Sequence, residues 1–527
     1  MPLVPEAALF ALAVLVLVVG LVQRSASASI EGQGDSGRWI GWITLVGLLG
    51  VAGLTFAAKE GRSLFGGAFT QDALALFAKR LVLGAAAISV LASMTTRGGS
   101  SPCPTAPRGG SSPRPTAPRG GSSPRSTVLD GTGPSSTTGS QDPATPGQGA
   151  FARRAAEYHF MLLLSLVGMM VLVSARELVL LFVAFELMSI PLYVLTGFRK
   201  RDGVAPEAAL KFFLVGTVSA AVLLYGMSFM YGVMGTTLLA AVPAAMAEGH
   251  PLMMLGLALV LAGLGFKIAA FPFHMWAPDA YEAASTPFIA WLSVAPKAAG
   301  FVVIIRLFLE GAGNAALAWV PLVSMFAGVT IVAGNLMAIP QQNIKRLLAY
   351  SGVAHIGYML IGLAAMSQTG VAMVLFYLVA YVFGNMGAFL VVETVARSER
   401  SETIEAYRGL AQRSPLLALA MLLFLLSLGG IPFVAGFWAK LYVFLAGVER
   451  GLLGLVFVGA VMTVVALYYY LLVARRMYIE PPERPDPVRV PSTLGVGIVV
   501  CTLAIVGIGV YPGPWVAAAQ RIADTLF

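Results

Sequence analysis

Four charged side chains stand where charge is least tolerated. Glu186, in LLFVAFELMSIPLYVL, is an acid centred in an apolar run, and Lys267, Lys297 and Lys440 lie well inside three others. A charge at mid-bilayer costs at least ~2.5 kcal/mol on insertion scales, so each needs an opposite charge, a water-filled cavity or a route to the interface. Lysine with a carboxylate suits proton work. Burial favours the neutral amine and a nearby carboxylate favours the ammonium, so changing the distance between Glu186 and a lysine would load or release a proton. Arginine never gives up its proton and is unsuited to that task. His274 follows Lys267 by seven residues, on nearly the same face of a continuing helix, and is a relay candidate. His355, in LLAYSGVAHIGYML, reads either as a second relay or as a packed, hydrogen-bonded histidine; His159 and His250 read as peripheral.

Two of the lysines come with interrupted helices. Lys267 precedes Pro272 in GFKIAAFPFHMW, and Pro432 precedes Lys440 in LSLGGIPFVAGFWAK, where Gly429, Gly430 and Gly436 loosen the chain further. Proline removes a helical hydrogen bond, and in lipid the freed carbonyl must find water or a polar side chain. Paired, Pro-interrupted helices in two halves point to an ion path built at an internal repeat.

The elements that hold these residues are membrane spans. The chain has 527 residues, of which 58% are hydrophobic and 11% charged, with mean hydropathy +0.83. That is too few charges to coat several water-facing domains, which excludes a soluble enzyme. Runs of about 20 apolar residues occur at 4–22, 39–58, 70–95, 156–174, 177–197, 207–233, 252–276, 286–309, 315–339, 346–366, 371–396, 414–446, 453–474 and 492–511. The expected fold is all-α and polytopic with about 14 transmembrane helices. Spans 4–8 and 9–13 form two five-helix repeats, inverted because five is odd, with Pro-broken spans 7 and 12. The first span is read as a retained helix, since Arg24 follows it and no small-residue cleavage site stands at its end. Cys103 and Cys501 are too few and too far apart for a disulfide framework, a zinc site or an iron-sulfur cluster, and no helix offers the paired histidines of a haem b site.

Loops after odd-numbered spans hold most of the basic residues, among them Arg199, Lys200, Arg201, Lys345, Arg346, Arg397, Arg400, Arg475 and Arg476. The positive-inside rule makes those loops cytoplasmic and both termini outward. The net charge of +9 is thus a topology signal, and no nucleic-acid partner is expected. Residues 97–149 carry an eleven-residue repeat beginning RGGSSPCPTAP and are read as a disordered cytoplasmic loop, with a basic tether for anionic lipid or a partner as the alternative. Inside the spans, Arg306 is near enough to a helix end to reach the interface, and Lys79 with Arg80 is expected to pair with Asp72.

The segments LMSIPLYVLTGFRKRD, FKIAAFPFHMWAPDAYEAASTPFIAWLSVAPKAAGF, NIKRLLAYSGVAHIGYML and LLSLGGIPFVAGFWAKLYVF resemble the antiporter-like membrane subunits of bacterial NADH-quinone oxidoreductase, respiratory complex I, and among them the subunit N type. The resemblance runs from about 155 to 480; the 97–149 insertion departs from the family's short loop. It implies a hydrated axis along the membrane plane in which the span 5 glutamate matches Glu186 and the lysines of spans 7, 8 and 12 match Lys267, Lys297 and Lys440. Lys211 matches a further lysine near the same path. The sister subunit L carries a long lateral C-terminal helix that is absent in a chain ending at Phe527, and subunit M has glutamate where Lys440 stands. The resemblance further implies a bacterial inner (plasma) membrane location. Antiporter-like subunit M, small subunit K and the lipid bilayer are the implied partners, with FMN, iron-sulfur clusters and quinone in other subunits and no cofactor or metal in this chain.

The expected organisation is 1–96 for spans 1–3, 97–149 for the repeat loop, 150–310 and 311–480 for the two repeats, and 481–527 for the last loop, span and C-terminus. The expected function is proton translocation coupled to electron transfer from NADH to quinone, with no redox centre here: no dinucleotide fingerprint is present. The alternatives are an Mrp-type cation/proton antiporter subunit, against which the acid-poor spans argue, and a non-conducting structural subunit of the membrane arm.

Overall fold

A computed structural model describes residues 2–27, 36–95, 154–199, 203–310 and 316–526. The repeat loop expected over 97–149 lies outside the described residues, as do Lys200 and Arg201. The described chain is helical apart from a small antiparallel hairpin, β1 (Arg62–Leu64) with β2 (Phe69–Gln71). The first half comprises α1 (Val4–Ser27), α2 (Ser36–Ala57), α3 (Ala73–Ser93), α4 (Ala155–Ser174), α5 (Leu178–Thr196), α6 (Val204–Met234), α7 (Pro251–Ile268), α8 (Trp276–Ala283), α9 (Thr286–Leu292) and α10 (Ala295–Ile305). The second comprises α11 (Ala316–Ala338), α12 (Ile344–Ala364), α13 (Gln368–Glu399), α14 (Pro415–Gly429), α15 (Ala435–Glu449), α16 (Leu453–Tyr478), α17 (Ser492–Val510) and α18 (Gly513–Asp524). Single turns such as Val242–Ala247 are left unlabelled.

Among the described residues 13 helices are long and apolar enough to cross a membrane. The expected span over 414–446 is instead two shorter helices, α14 and α15. A final helix that hydropathy overlooks, α18, is amphipathic and lies against α13 and α3. At the centre, α12, α13 and the α9–α10 stretch are almost wholly buried, whereas α6, α11 and α16 present apolar side chains outward. Both kinds are apolar all round, as lipid requires of a helix whatever it packs against.

Polar caps close the helix ends, where backbone N–H groups would otherwise lack partners. Asp72, Glu177, Asn343 and Ser367 accept hydrogen bonds from the first-turn N–H groups of Ala75, Leu180, Lys345 and Gly370. The two interrupted spans end alike. α7 stops at Ile268 with Ala269 left-handed (φ +61°), and α14 stops at Gly429 with Gly430 left-handed (φ +84°). Pro272 and Pro432 stand in the connecting segments. The helix has already ended, because a proline ring four residues on would collide with the carbonyls of Ile268 and Leu428.

Several charged residues take partners other than those expected. Lys79, fully buried, pairs with Glu6 of α1 at 2.6 Å rather than with Asp72. Arg80 donates to the Thr55 carbonyl at 3.0 Å. Asp72 is held by Arg306 at 2.7 Å and Arg176 at 2.8 Å. Arg306 therefore does not reach outward; it is 2% exposed and also donates to the Val173 carbonyl. Lys345, assigned from sequence to a cytoplasmic loop, is buried against Glu402 at 2.6 Å. A sequence pattern shows where a charge falls along a helix; which neighbouring helix supplies the counter-charge is set by packing.

Candidate functional site

Lys267 occupies the last turn of α7, where α5 faces it. Its Nζ donates to Ser189 Oγ at 2.8 Å, and Ser189 in turn donates to the Phe185 carbonyl. The ammonium also lies 5.4 Å from the Phe185 ring and 5.9 Å from the Tyr193 ring. Aromatic faces stabilise a desolvated cation through their quadrupoles. Glu186 is within coulombic reach of Lys267, yet it makes no direct bond to it, and its buried Oε1 has no hydrogen-bond partner among the described residues. The acid and the amine are thus electrostatic neighbours without a direct bond, an arrangement that a small shift of α5 against α7 would change.

Lys297, in the first turn of α10, is 1% exposed. Its Nζ lies 3.4 Å from Tyr381 Oη of α13 and within 6 Å of the Tyr281 and Tyr381 rings. Gly352 of α12 makes room for it: a Cβ there would stand 2.8 Å from Lys297 Nζ and 2.9 Å from Tyr381 Oη. Lys440 of α15 donates to the Leu428 and Gly429 carbonyls at 2.9 and 3.1 Å and lies 4.7 Å from the Tyr358 ring. Those carbonyls belong to the last turn of α14, so the amine satisfies acceptors that the interruption leaves open. Neither lysine forms an ion pair with a carboxylate among the described residues. Phenols and carbonyls solvate them instead.

His355 lies between these two lysines, within coulombic reach of both. Its Nδ1 is 2.8 Å from Tyr377 Oη and its Nε2 3.5 Å from Tyr470 Oη, which meets Ser351. Tyr358, beside Lys440, bonds Asn335 at 3.2 Å, and Asn335 accepts from Tyr469 at 3.0 Å. Linked hydroxyls and an imidazole form a polar seam in a low-dielectric interior, where each bond strengthens its neighbours.

Other expected residues fall elsewhere. The helix containing Lys267 ends before His274, so the shared-face argument for that histidine fails; its Nε2 meets Met337 Sδ at 3.3 Å, with the Phe271 and Tyr350 rings on either side. Lys211 is exposed and pairs with Glu207 at 2.9 Å and Asp279 at 3.4 Å, away from the buried lysines. Sequence reasoning missed Ser189, Asn335, Ser351 and the tyrosines. Their signal was present: Tyr377, Tyr381 and Asn385 recur every fourth residue in α13, as do Ser351 and His355 in α12.

The family model described as "NADH:quinone oxidoreductase/Mrp antiporter, TM" matches residues 175–466, a stretch that contains Glu186, Lys267, Lys297 and Lys440. NADH-quinone oxidoreductase subunit N of Moorella thermoacetica is 46% identical over 374 residues, covering 70% of this chain and 79% of its own. The chain belongs to the subunit N family of NADH-quinone oxidoreductase. The subunit N of Heliobacterium modesticaldum is similar to the same extent, at 45% identity over 374 residues. Among solved structures, a chain of respiratory complex I from Thermus thermophilus with bound Aureothin is 28% identical, with TM-score 0.73 over 97% of this chain and 98% of that one. A chain of the Mrp complex from Dietzia is 19% identical with TM-score 0.74 over 99% of this chain and 97% of that one, and shows that the fold is shared more widely than the subunit N sequence. This chain, helical with 13 candidate membrane spans among the described residues, partners with other membrane subunits.

Proposed function

We propose that this chain is a proton-translocating subunit of NADH-quinone oxidoreductase. Electron transfer in other subunits, which hold the FMN, iron-sulfur clusters and quinone, changes the separation of Glu186 and Lys267; protons then pass through Lys297, the His355 seam and Lys440 and leave outward. The observation that carries this reading is the set of three lysines, each 4% exposed or less, met by hydroxyls, rings and carbonyls rather than by fixed counter-charges. An amine so solvated exchanges a proton at lower cost than one locked in a buried ion pair.

In this reading the spans over 150–310 and 311–480 are inverted repeats, α7 and α14–α15 being the corresponding interrupted helices. The basic loops face the cytoplasm and both termini face outward. Subunit M and small subunit K are the expected neighbours in a bacterial plasma membrane. Lys211 and His274 have no direct part in the buried path.

The test is a Lys267→Ala complex, purified at full subunit content and reconstituted in vesicles. NADH-driven acidification is expected to fall severalfold. Unchanged quinone-coupled pumping would instead favour a structural brace. The Mrp-type antiporter reading is weaker, since the relatives at 40–46% identity carry the subunit N name; pumping that required sodium would revive it.

A further inference from the structure

Polar side chains continue along α13 beyond the seam. Tyr377, Tyr381, Asn385, Glu393 and Arg397 stand one turn apart and wind slowly around the helix, with Phe389 in the one gap. Glu393 is 6% exposed and bound to Arg397 at 2.6 Å; Arg397 is half-buried at the helix end and donates to the Thr95 carbonyl. Glu393 also acts electrostatically on Tyr158 of α4, whose hydroxyl faces those of Ser89 and Ser285. Twelve residues at ~1.5 Å each set Glu393 about 18 Å from Tyr381 along the axis, slightly more than half of a ~30 Å hydrocarbon layer.

α9, about 10 Å long at ~1.5 Å per residue, lies alongside part of this stretch. At one end Ser285 neighbours Tyr158, and Ser89 donates to the Pro287 carbonyl at 2.7 Å. At the other, Ser293 Oγ accepts from Asn385 at 2.7 Å and its carbonyl accepts from Tyr381 at 3.4 Å. Between them Tyr281 bridges the levels: its ring is 5.9 Å from the Phe389 ring and 5.9 Å from Lys297 Nζ. Tyr281 Oη, Asn385 Oδ1 and Thr286 Oγ1 are buried and have no hydrogen-bond partner among the described residues. Buried polar groups in native interiors are paired with protein or water, and water is the usual carrier between such groups.

We propose that Glu393 is the proton-collecting carboxylate for Lys297. It takes a proton at the Arg397 end of α13, on the side whose loops hold most of the basic residues, and passes it between α9 and α13 by way of Tyr281 and Asn385 to Tyr381 and Lys297. The carboxylate gains and releases one proton per passage, so no co-reactant is needed. This rests on the proton-translocating reading above. It adds an uptake route that neither the buried lysines nor the helix interruptions contain.

The test uses the assembled complex in vesicles, with subunit content verified. Glu393→Gln is expected to lower protons moved per NADH severalfold, and both Glu393→Asp and the permeant weak acid formate are expected to restore them; a structural role would not respond to formate. Arg397→Lys, which keeps a cation beside the acid, is expected to pump near the wild-type level. Normal pumping by Glu393→Gln, a loss that formate and aspartate fail to restore, or an equal loss in Arg397→Lys would overturn the proposal. If Glu393→Gln does not assemble, Tyr281→Phe carries the test, because it keeps the ring and removes the hydroxyl: reduced pumping supports the route and normal pumping overturns it. Normal pumping by Lys297→Ala would instead defeat the translocation reading itself, which distinguishes its failure from that of the uptake route.

Discussion

Lys440 Nζ lies 2.9 Å from the carbonyl oxygen of Leu428, twelve residues earlier and across the interruption between α14 and α15. The lysine of one half-helix caps the other. Gly430 makes this approach possible: it is left-handed at φ +84°, and a Cβ would stand 2.9 Å from Lys440 Cδ.

Gly430→Ala should therefore displace the amine while leaving its charge in place. A left-handed conformation costs a non-glycine residue roughly 1–2 kcal/mol, too little to abolish folding of a large bundle. NADH-driven pumping is expected to fall severalfold at normal subunit content. Wild-type pumping would mean that the Lys440 contact with the α14 carbonyls is dispensable.

Gly352→Ala addresses Lys297 in the same way. The new methyl would press on both Lys297 Nζ and Tyr381 Oη, so the 3.4 Å contact between them must open. Pumping per NADH is expected to fall further in Gly352→Ala than in Tyr381→Phe, which removes the hydroxyl without moving the amine. The reverse order would place the sensitivity at the hydroxyl rather than at the lysine's position.

Asp72 joins three parts of the first half through Arg306 and Arg176. Asp72→Asn removes the carboxylate that holds buried Arg306 at 2.7 Å and is expected to cost up to about 3–5 kcal/mol, measured as a lower unfolding temperature in detergent. Burial alone would raise the Asp72 carboxyl, but Arg306, the Ala75 N–H and Arg176 outweigh it and hold the group well below the ordinary carboxylate range. A folded-state value below the unfolded one contributes stability that is fully present above the unfolded pKa and is lost as pH falls through the folded value. The stability gap between wild type and Asp72→Asn should accordingly be constant near neutrality and narrow in acid below about pH 4. A gap that widened in acid would contradict the ion-pair assignment.

The Lys79–Glu6 pair ties α1 to α3 and gives a double-mutant test. Lys79→Met or Glu6→Met alone strands a buried charge and is expected to cost about 3–5 kcal/mol, whereas Lys79→Met with Glu6→Met should recover most of it. Additive losses would show that the two side chains do not share an interaction.

Hydropathy and loop chemistry located the spans because lipid admits few alternatives to an apolar helix about 20 residues long. The same rule exposed Glu186, Lys267, Lys297 and Lys440, since a charge in an apolar run stands out whatever surrounds it. Partners were not legible. Asp72 clasps Arg306 across 234 residues of chain and Tyr381 meets Lys297 across 84, contacts that depend on helix rotation and on glycines such as Gly352 that admit close approach. His274 shows the limit most plainly: a seven-residue spacing implies a shared face only while the helix continues, and α7 ends at Ile268. Residue type and local spacing determine which charges enter the membrane; the packing of one helix on another, fixed by shape over the whole bundle, determines what each charge meets there.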